Sequence, residues 1–509
     1  MKNPLKKIPF VVLSCLIIGC SPNVPEDFGD SPLPPLIYPD YAGVTIPPNI
    51  APINFEIQVE GENFFTTISG KNGKPVSVSG KRVVIPETLW RDLLEENRGE
   101  EIQFEICVQN NSLWTRHAPI VNRVAEEPID DWITYRLIEP GYERYLDIEI
   151  HHRNLSSFEV RPFYDNNLSS KQQCANCHSF QNWHTSRMLL HTRRHKSGTI
   201  FIQDGKAEKI DLSTDETISA GVYPSWHPTL NLVAFSLNST GQIFHTVSKA
   251  KVEVLDSASD LALYDVDANE LTHILKSDDQ LETYPTWSLD GNWLYYCSAE
   301  KIFNEEISIP ESSHEYSLLD AKQSATVKNY DKIHYNLMRL SFNRETKRFG
   351  EPELVVDAVS QDKSVTFPRL SPDGRYIMYT LSNFGTFSIW HKESDLWLHN
   401  LETGENNPLT EANSDQADSF HNWSSNGRWF VFTSRRDDGA YTRLYFAYFD
   451  KNGNTSKPFL LPQKTPFHNI ELMKSYNVPE LTVEPIQIGN REMYRSINCE
   501  PKRTTYRRN

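Results

Sequence analysis

Apolar and polar positions alternate strictly in the N-terminal quarter of the chain. Examples are Ile53-Asn54-Phe55-Glu56-Ile57-Gln58-Val59 and Ile102-Gln103-Phe104-Glu105-Ile106-Cys107-Val108. A period of two places one face in a core and the other in water, as in a half-exposed antiparallel sheet. Residues 49–125 are therefore expected to form a small β-sandwich, with Pro86–Glu96 as a short helix. No motif there marks a catalytic group.

Further along, a different pattern recurs four times. It runs Y-P-S-W-H-P-T-L-N-L-V-A-F-S (Tyr223–Ser236), Y-P-T-W-S-L-D-G-N-W-L-Y-Y-C-S (Tyr284–Ser298), F-P-R-L-S-P-D-G-R-Y-I-M-Y-T (Phe367–Thr380) and F-H-N-W-S-S-N-G-R-W-F-V-F-T-S (Phe420–Ser434). Each reads aromatic, bent dipeptide, bulky residue, polar turn and β-rich run. Proline after the aromatic predicts an extended residue before it. Asp-Gly or Asn-Gly supplies the positive φ of a hairpin turn. The apolar run that follows reads as a buried strand. Further hairpins follow at Leu261–Leu275 and Asp395–Leu409.

These segments resemble the TolB-type β-propeller repeat, aromatic-P-x-W-S-P-D-G-x-x-I-A-F, over roughly residues 180–465. The resemblance implies an all-β fold: a propeller of about six blades over 126–465, preceded by the sandwich. The repeats start 61, 83 and 53 residues apart. A blade needs roughly 40–50 residues, so the excess goes to loop insertions, most obviously around Phe303–Tyr335. Arg187–Arg193 and Gly198–Gln203 read as the hairpin of a modified first blade. Trp132–Arg153 is expected to supply a sixth blade or its closing strand, and five to seven blades fit the spacing. Residues 466–509 read as a solvated tail, basic at Lys502, Arg503, Arg507 and Arg508.

The N-terminus reads as an address. Lys2, Lys6 and Lys7 precede an apolar run, Ile8–Ile18, and then Gly19-Cys20. Positive, apolar, small-residue order is the secretory pattern. A cysteine directly behind it resembles the bacterial lipobox, which implies a signal peptide at 1–19 and lipidation of Cys20. Ser21 in place of aspartate points to the outer membrane, on its periplasmic or cell-surface side. The Pro-rich residues 20–48 read as a tether. No later stretch approaches the roughly 20 apolar residues of a membrane helix. The 509 residues carry a net charge of −16, which excludes a nucleic-acid partner for want of a basic face.

Seven cysteines are present: Cys15, Cys20, Cys107, Cys174, Cys177, Cys297 and Cys499. Cys15 leaves with the signal peptide. No disulfide pairing of Cys107, Cys297 and Cys499 is readable. Cys174, Cys177 and His178 form C-A-N-C-H, the attachment pattern of a c-type haem. Two thiols would take the porphyrin vinyl groups, and His178 would lie under the iron. A zinc half-site is the competing reading, with His184, His191 and His195 nearby. The secretory signal favours one covalent haem c, because such haem is attached outside the cytoplasm. Met188, in the apolar run Met188-Leu189-Leu190, is the expected sixth ligand and His191 the next choice; core packing is the bland reading of Met188.

His391, Asp395, His421, Arg435, Arg436, Asp437 and Asp438 cluster in the last two repeats. They read as turn and interblade ion pairs, or else as a channel-lining glycan, metal or small-molecule site. No nucleophile elbow, P-loop, H-E-x-x-H or dinucleotide fingerprint is present. The lipobox, the haem motif and the repeats together resemble Bacteroidetes outer-membrane lipoproteins of the TolB-like propeller type that carry a cytochrome c haem motif. That implies a membrane-anchored carrier of one haem, for electron transfer or redox sensing with a protein redox or assembly partner. The alternatives are a glycan- or small-molecule-binding propeller, hydrolytic or lyase activity included, and a plain interaction scaffold.

Replacing Cys20 with Ala is expected to release the protein from the membrane fraction with its fold intact. Continued sedimentation with membranes after a carbonate wash would show that Cys20 is not the anchor.

Overall fold

The computed structural model describes residues 28–142, 147–166, 173–245, 250–302 and 329–508. Cys15, Cys20 and most of the Phe303–Tyr335 insertion lie outside them. Among the described residues, six sheets of four or five strands follow one another along the chain from Trp132 onward. Their innermost strands are Ser475–Thr482, Gln173–Gln181, Val222–Trp226, Gln280–Trp287, Ser364–Leu370 and Asp418–Trp423. Each packs against the next, and Ser475–Thr482 packs on both Asp418–Trp423 and Gln173–Gln181. The sheets thus close into a ring, a six-bladed β-propeller around a central channel.

The repeat builds each blade through local chemistry. In blades 4, 5 and 6 a serine of the turn donates its hydroxyl to the Asp or Asn two residues on: Ser288 to Asp290, Ser371 to Asp373, Ser424 to Asn426. The same hydroxyl accepts the N–H of the aromatic that starts the next strand, Trp293, Tyr376 or Trp429. The glycines of these turns, Gly291, Gly374 and Gly427, have φ of 64–70°, a region glycine enters without a Cβ penalty. In blade 3 His227 takes the place of the serine, and its Nδ1 accepts the N–H groups of Thr229 and Leu230. The bulky residue of the motif joins neighbouring blades. Trp226 donates its indole N–H to the Ser179 carbonyl, and Trp423 donates to that of Arg369.

The residue before proline is not extended, contrary to expectation. Tyr223, Tyr284 and Phe367 have φ of +47 to +53°, as does Phe420 before histidine. At each the pairing with the next strand slips by one residue. This is a β-bulge, and the steric preference imposed by proline yields to it. Val478, before Pro479 in the closing strand, has the same conformation and the same slip.

Two boundaries differ from the sequence reading. The proposed tether is built into the N-terminal unit. Phe28–Ser31 pairs with Leu113–His117, Thr45–Ile46 pairs with Ile120–Val124, and Tyr41, Val44 and Ile46 are buried. Pro32, Pro34, Pro35 and Pro39 fall between the short strands Phe28–Ser31 and Thr45–Ile46, where a missing N–H costs nothing. The unit is a β-sandwich of a seven-stranded and a three-stranded sheet. Helix Glu87–Glu96 buries Trp90, Leu93 and Leu94 in its core, which runs on into that of blades 5 and 6.

Residues 466–509, read as a solvated tail, are also structural. Ser475–Thr482 is the innermost strand of blade 1 and pairs antiparallel with Trp132–Ile138. The helix Asn490–Asn498 packs on blade 2, where the buried Lys209 ammonium holds the Ile497 carbonyl. Lys502–Arg503 and Thr505–Tyr506 extend blades 2 and 3 as parallel edge strands. Arg507 and Arg508 pair with Glu270 and Glu216.

Leu481, on the closing strand, is fully buried. Leu481→Ala is expected to cost about 2–5 kcal/mol, as for other buried leucines. Thermal unfolding reads this directly, since a substitution in a solvated tail would leave Tm unchanged.

Candidate functional site

The bulge at each inner strand brings one side chain of the repeat to the channel. Tyr223, Tyr284, Phe367 and Phe420, from four successive blades, line it together. Their ring centroids lie 4.4, 4.5 and 4.8 Å apart around the circle. Val478 holds the same register in blade 1. In blade 2 the register slips between Asn176 and His178. Cys177-His178-Ser179-Phe180 thereby falls where Phe420-His421-Asn422-Trp423 falls in blade 6. The haem-like string is thus also a propeller repeat, with cysteine at the aromatic position and histidine at the proline position.

His178 is 2% exposed and lines the same chamber. Burial pushes its imidazole down to about 3, with Arg136 and His152 beside it adding to the effect. The ring is therefore neutral. The backbone of Thr134 and Val478 lies within hydrogen-bonding reach, yet Nε2 has no partner. His227 is bonded through both nitrogens. His421, like His178, leaves one buried nitrogen unbonded, but its Nε2 meets the Met378 carbonyl at 2.9 Å and it does not line the chamber. A neutral imidazole with one buried nitrogen unbonded is suited to ligate a metal, so His178 fits the proximal role. Cys174 is half-buried on the same strand. The Cys177 side chain lies outside what the structure describes.

Met188 does not fit the sixth position. It is fully buried among Ile150, Tyr164, Phe180, Leu190 and Ile200, an apolar cluster between blades 1 and 2, and it is absent from the channel wall. The expectation of Met188 as a metal ligand is corrected accordingly: the thioether fills core space. His191 bonds Thr199 at 3.0 Å through Nδ1. His184 lies 3.6 Å from Glu484 on the surface, and His195 is in an exposed turn. Among the described residues no group of three or more His, Cys, Asp or Glu is arranged to hold a metal ion. Cys107, Cys297 and Cys499 form no disulfide.

The polar cluster of the last two blades is dispersed into structural contacts. His391 pairs with Glu253 at 2.7 Å. Arg435 lies 3.3 Å over the Trp390 ring, and Arg436 pairs with Asp418 at 3.0 Å. Asp437 accepts the Tyr445 hydroxyl, and Asp438 caps the N–H groups of Ala440 and Tyr441. Burial, with Asp418 and Glu393 adding to it, raises the Asp395 carboxyl to about 6. None of these seven lines the channel chamber.

The charged residues that do line it escaped the sequence reading: Arg136, Arg193, Arg369 and Glu480. Glu480 accepts the Phe180 N–H at 3.1 Å. Burial raises its carboxyl to about 8, against the opposing pull of Arg369. Pro224, Arg369 and Glu480 also line the recess on the other side, so they form the neck between two halves of one channel. The missed signal was Val478-Pro479-Glu480-Leu481-Thr482, which copies the repeat with valine for the aromatic.

No protein-family model and no curated protein sequence matches the chain. Among solved structures it is similar to TolB from Acinetobacter baumannii, with a TM-score of 0.38 and 11% identity over 72% of this chain and 80% of that one. It is also similar to a hypothetical selenium-binding protein from Sulfolobus tokodaii, with a TM-score of 0.41 and 7% identity over 72% of this chain and 96% of that one. The propeller itself is established by the six sheets and their closure.

Glu480 folds into a site that favours its protonated form, whereas in the unfolded chain it ionises near its usual value of 4.5. The folded state then holds the extra proton, so this group lowers stability progressively as pH rises from about 4.5 to about 8. Glu480→Gln is expected to gain on the wild type over that window. The Tm difference between the two, measured at both ends, should be several degrees larger at the alkaline end.

Proposed function

We propose that this chain is an outer-membrane lipoprotein whose propeller carries one covalent haem c, for electron transfer or redox sensing with a protein partner. The observation that carries the reading is His178: buried, neutral and with Nε2 unbonded at the channel wall. The C-A-N-C-H string and the secretory N-terminus point the same way.

In this reading Cys174 and Cys177 anchor the porphyrin and His178 ligates the iron. When bound, the haem supplies a one-electron couple that the side chains lack. The protein's own contributions are orientation and exclusion of water. The strand Gln173–Gln181 fixes the histidine in register with its neighbour. The aromatic girdle and the blade 3 hairpin enclose the chamber on its apolar sides. No methionine, and no histidine besides His178, lines the chamber among the described residues.

A pyridine haemochrome spectrum of protein matured in the periplasm tests this. A thioether-type α band is expected, lost in Cys174→Ala/Cys177→Ala. Met188→Leu should leave the oxidised spectrum unchanged. A wild-type protein without the band, or a double variant that retains covalent haem on a denaturing gel, would refute attachment at this motif.

A further inference from the structure

The chamber carries a charge opposite to that of the molecule. The chain as a whole is at −16, yet the charged groups on the chamber wall are three arginines and one glutamate. Glu480 is protonated at neutral pH because it is buried. Asp256, behind Thr240, accepts hydrogen bonds from Asn238 and Thr240, and burial raises it to about 7. Its charge opposes that of Arg193 only in part. His178 is neutral. Near pH 7 the wall is therefore net positive. Guanidinium groups offer planar forks that match carboxylates two bonds at a time.

The rest of the wall is apolar and ring-rich. Tyr223, Tyr284, Phe367 and Phe420 form a continuous arc, with Pro224, Pro285 and Val478 beside them. The cavity volume is about 140 Å³, close to the ~150 Å³ of an apolar cavity that admits a single aromatic ring, and its mouth opens to solvent. A roof is built for it. Strands Leu232–Phe244 and Val252–Asp265 of blade 3 run well beyond the blade, and Thr240, Gln242 and Val254 of this hairpin face the chamber. The hairpin is latched to blade 5 by Glu253 and His391, 2.7 Å apart and both about 5% exposed. A roof that removes water strengthens ion pairing beneath it.

We propose that the channel chamber is a binding site for a ring-bearing apolar ligand with a carboxylate, the acid held by Arg193 and Arg369 and the ring by the aromatic arc. The chemistry is shared by two sources, the acid groups of a covalent haem and a free aromatic acid. The inference stands whether or not haem is attached.

The test uses the full chain with Cys174→Ala/Cys177→Ala, which holds no covalent haem. It compares 2-naphthoate with neutral 2-naphthylmethanol by titration calorimetry. The acid is expected to bind at least tenfold more tightly than the alcohol. Arg193→Gln and Arg369→Gln should each lose tenfold or more of the acid affinity and leave the alcohol unchanged. Arg193 is exposed enough that its variant should fold even if that of Arg369 does not. Failure of the acid to bind, equal binding of both probes, or indifference to Arg193→Gln overturns the proposal. Haem-loaded wild type then separates the sources. Exclusion of naphthoate assigns the chamber to the haem's own acids, and continued binding assigns it to a free acid. Naphthoate binding by a protein that shows no haemochrome band would sustain this site while refuting the haem reading.

Discussion

The molecule depends on one pairing, that of Ser475–Thr482 with Trp132–Ile138. A propeller assembled from consecutive blades leaves its first and last blades each with an uncovered face until the ends meet, and without Ser475–Thr482 the strand Trp132–Ile138 would present an edge of unpaired N–H and C=O groups. Here the last inner strand joins the first blade, so the final segment of the chain completes the first unit of the ring. Every innermost strand then has a neighbour on both sides. The channel exists only because this seam is made, and Val478 and Glu480 reach its wall through it.

A second constraint is the bulge. One extra residue on five of the six inner strands re-aims a side chain and places it at a positive φ. Because the device recurs at the same register, the re-aimed residues converge, and four aromatics form an arc from parts of the chain nearly two hundred residues apart. The strain of each bulge is offset by burial of the bulky residue three positions on, and the indole N–H groups of Trp226 and Trp423 also tie blade to blade. Scaffold and site are built from the same residues. A repeat position can therefore change its residue type, as at Cys177-His178, without loss of the fold.

The channel also separates two kinds of buried polar group. Some histidines and acids elsewhere in the propeller are buried as ion pairs, such as Glu253 with His391 and Asp418 with Arg436. His178 is buried with a nitrogen unbonded and Glu480 with its proton retained, both on the channel wall. Groups that carry an unfulfilled cost and share one cavity are where ligand binding repays most.

The all-β class, the repeat, the hairpin turns and the C-A-N-C-H string were legible in the amino-acid order, because each is written in residues that are neighbours along the chain. Ser-x-Asp-Gly shapes its own turn, and an alternating run declares its own buried face. What lies far apart was not legible. Met188 and His178 are ten residues from each other, yet Met188 belongs to the core between two blades and His178 to the channel, and strand periodicity alone does not say which side of a blade meets which. The Pro-rich stretch and the basic C-terminal stretch resemble a tether and a tail by composition, but both acquire structure from strands that pair with them. Glu480 reaches the Phe180 backbone across 300 residues. Local order determined the blades; only ring closure decided which residues face the channel, since a wall drawn from six blades does not exist until the first and last are joined.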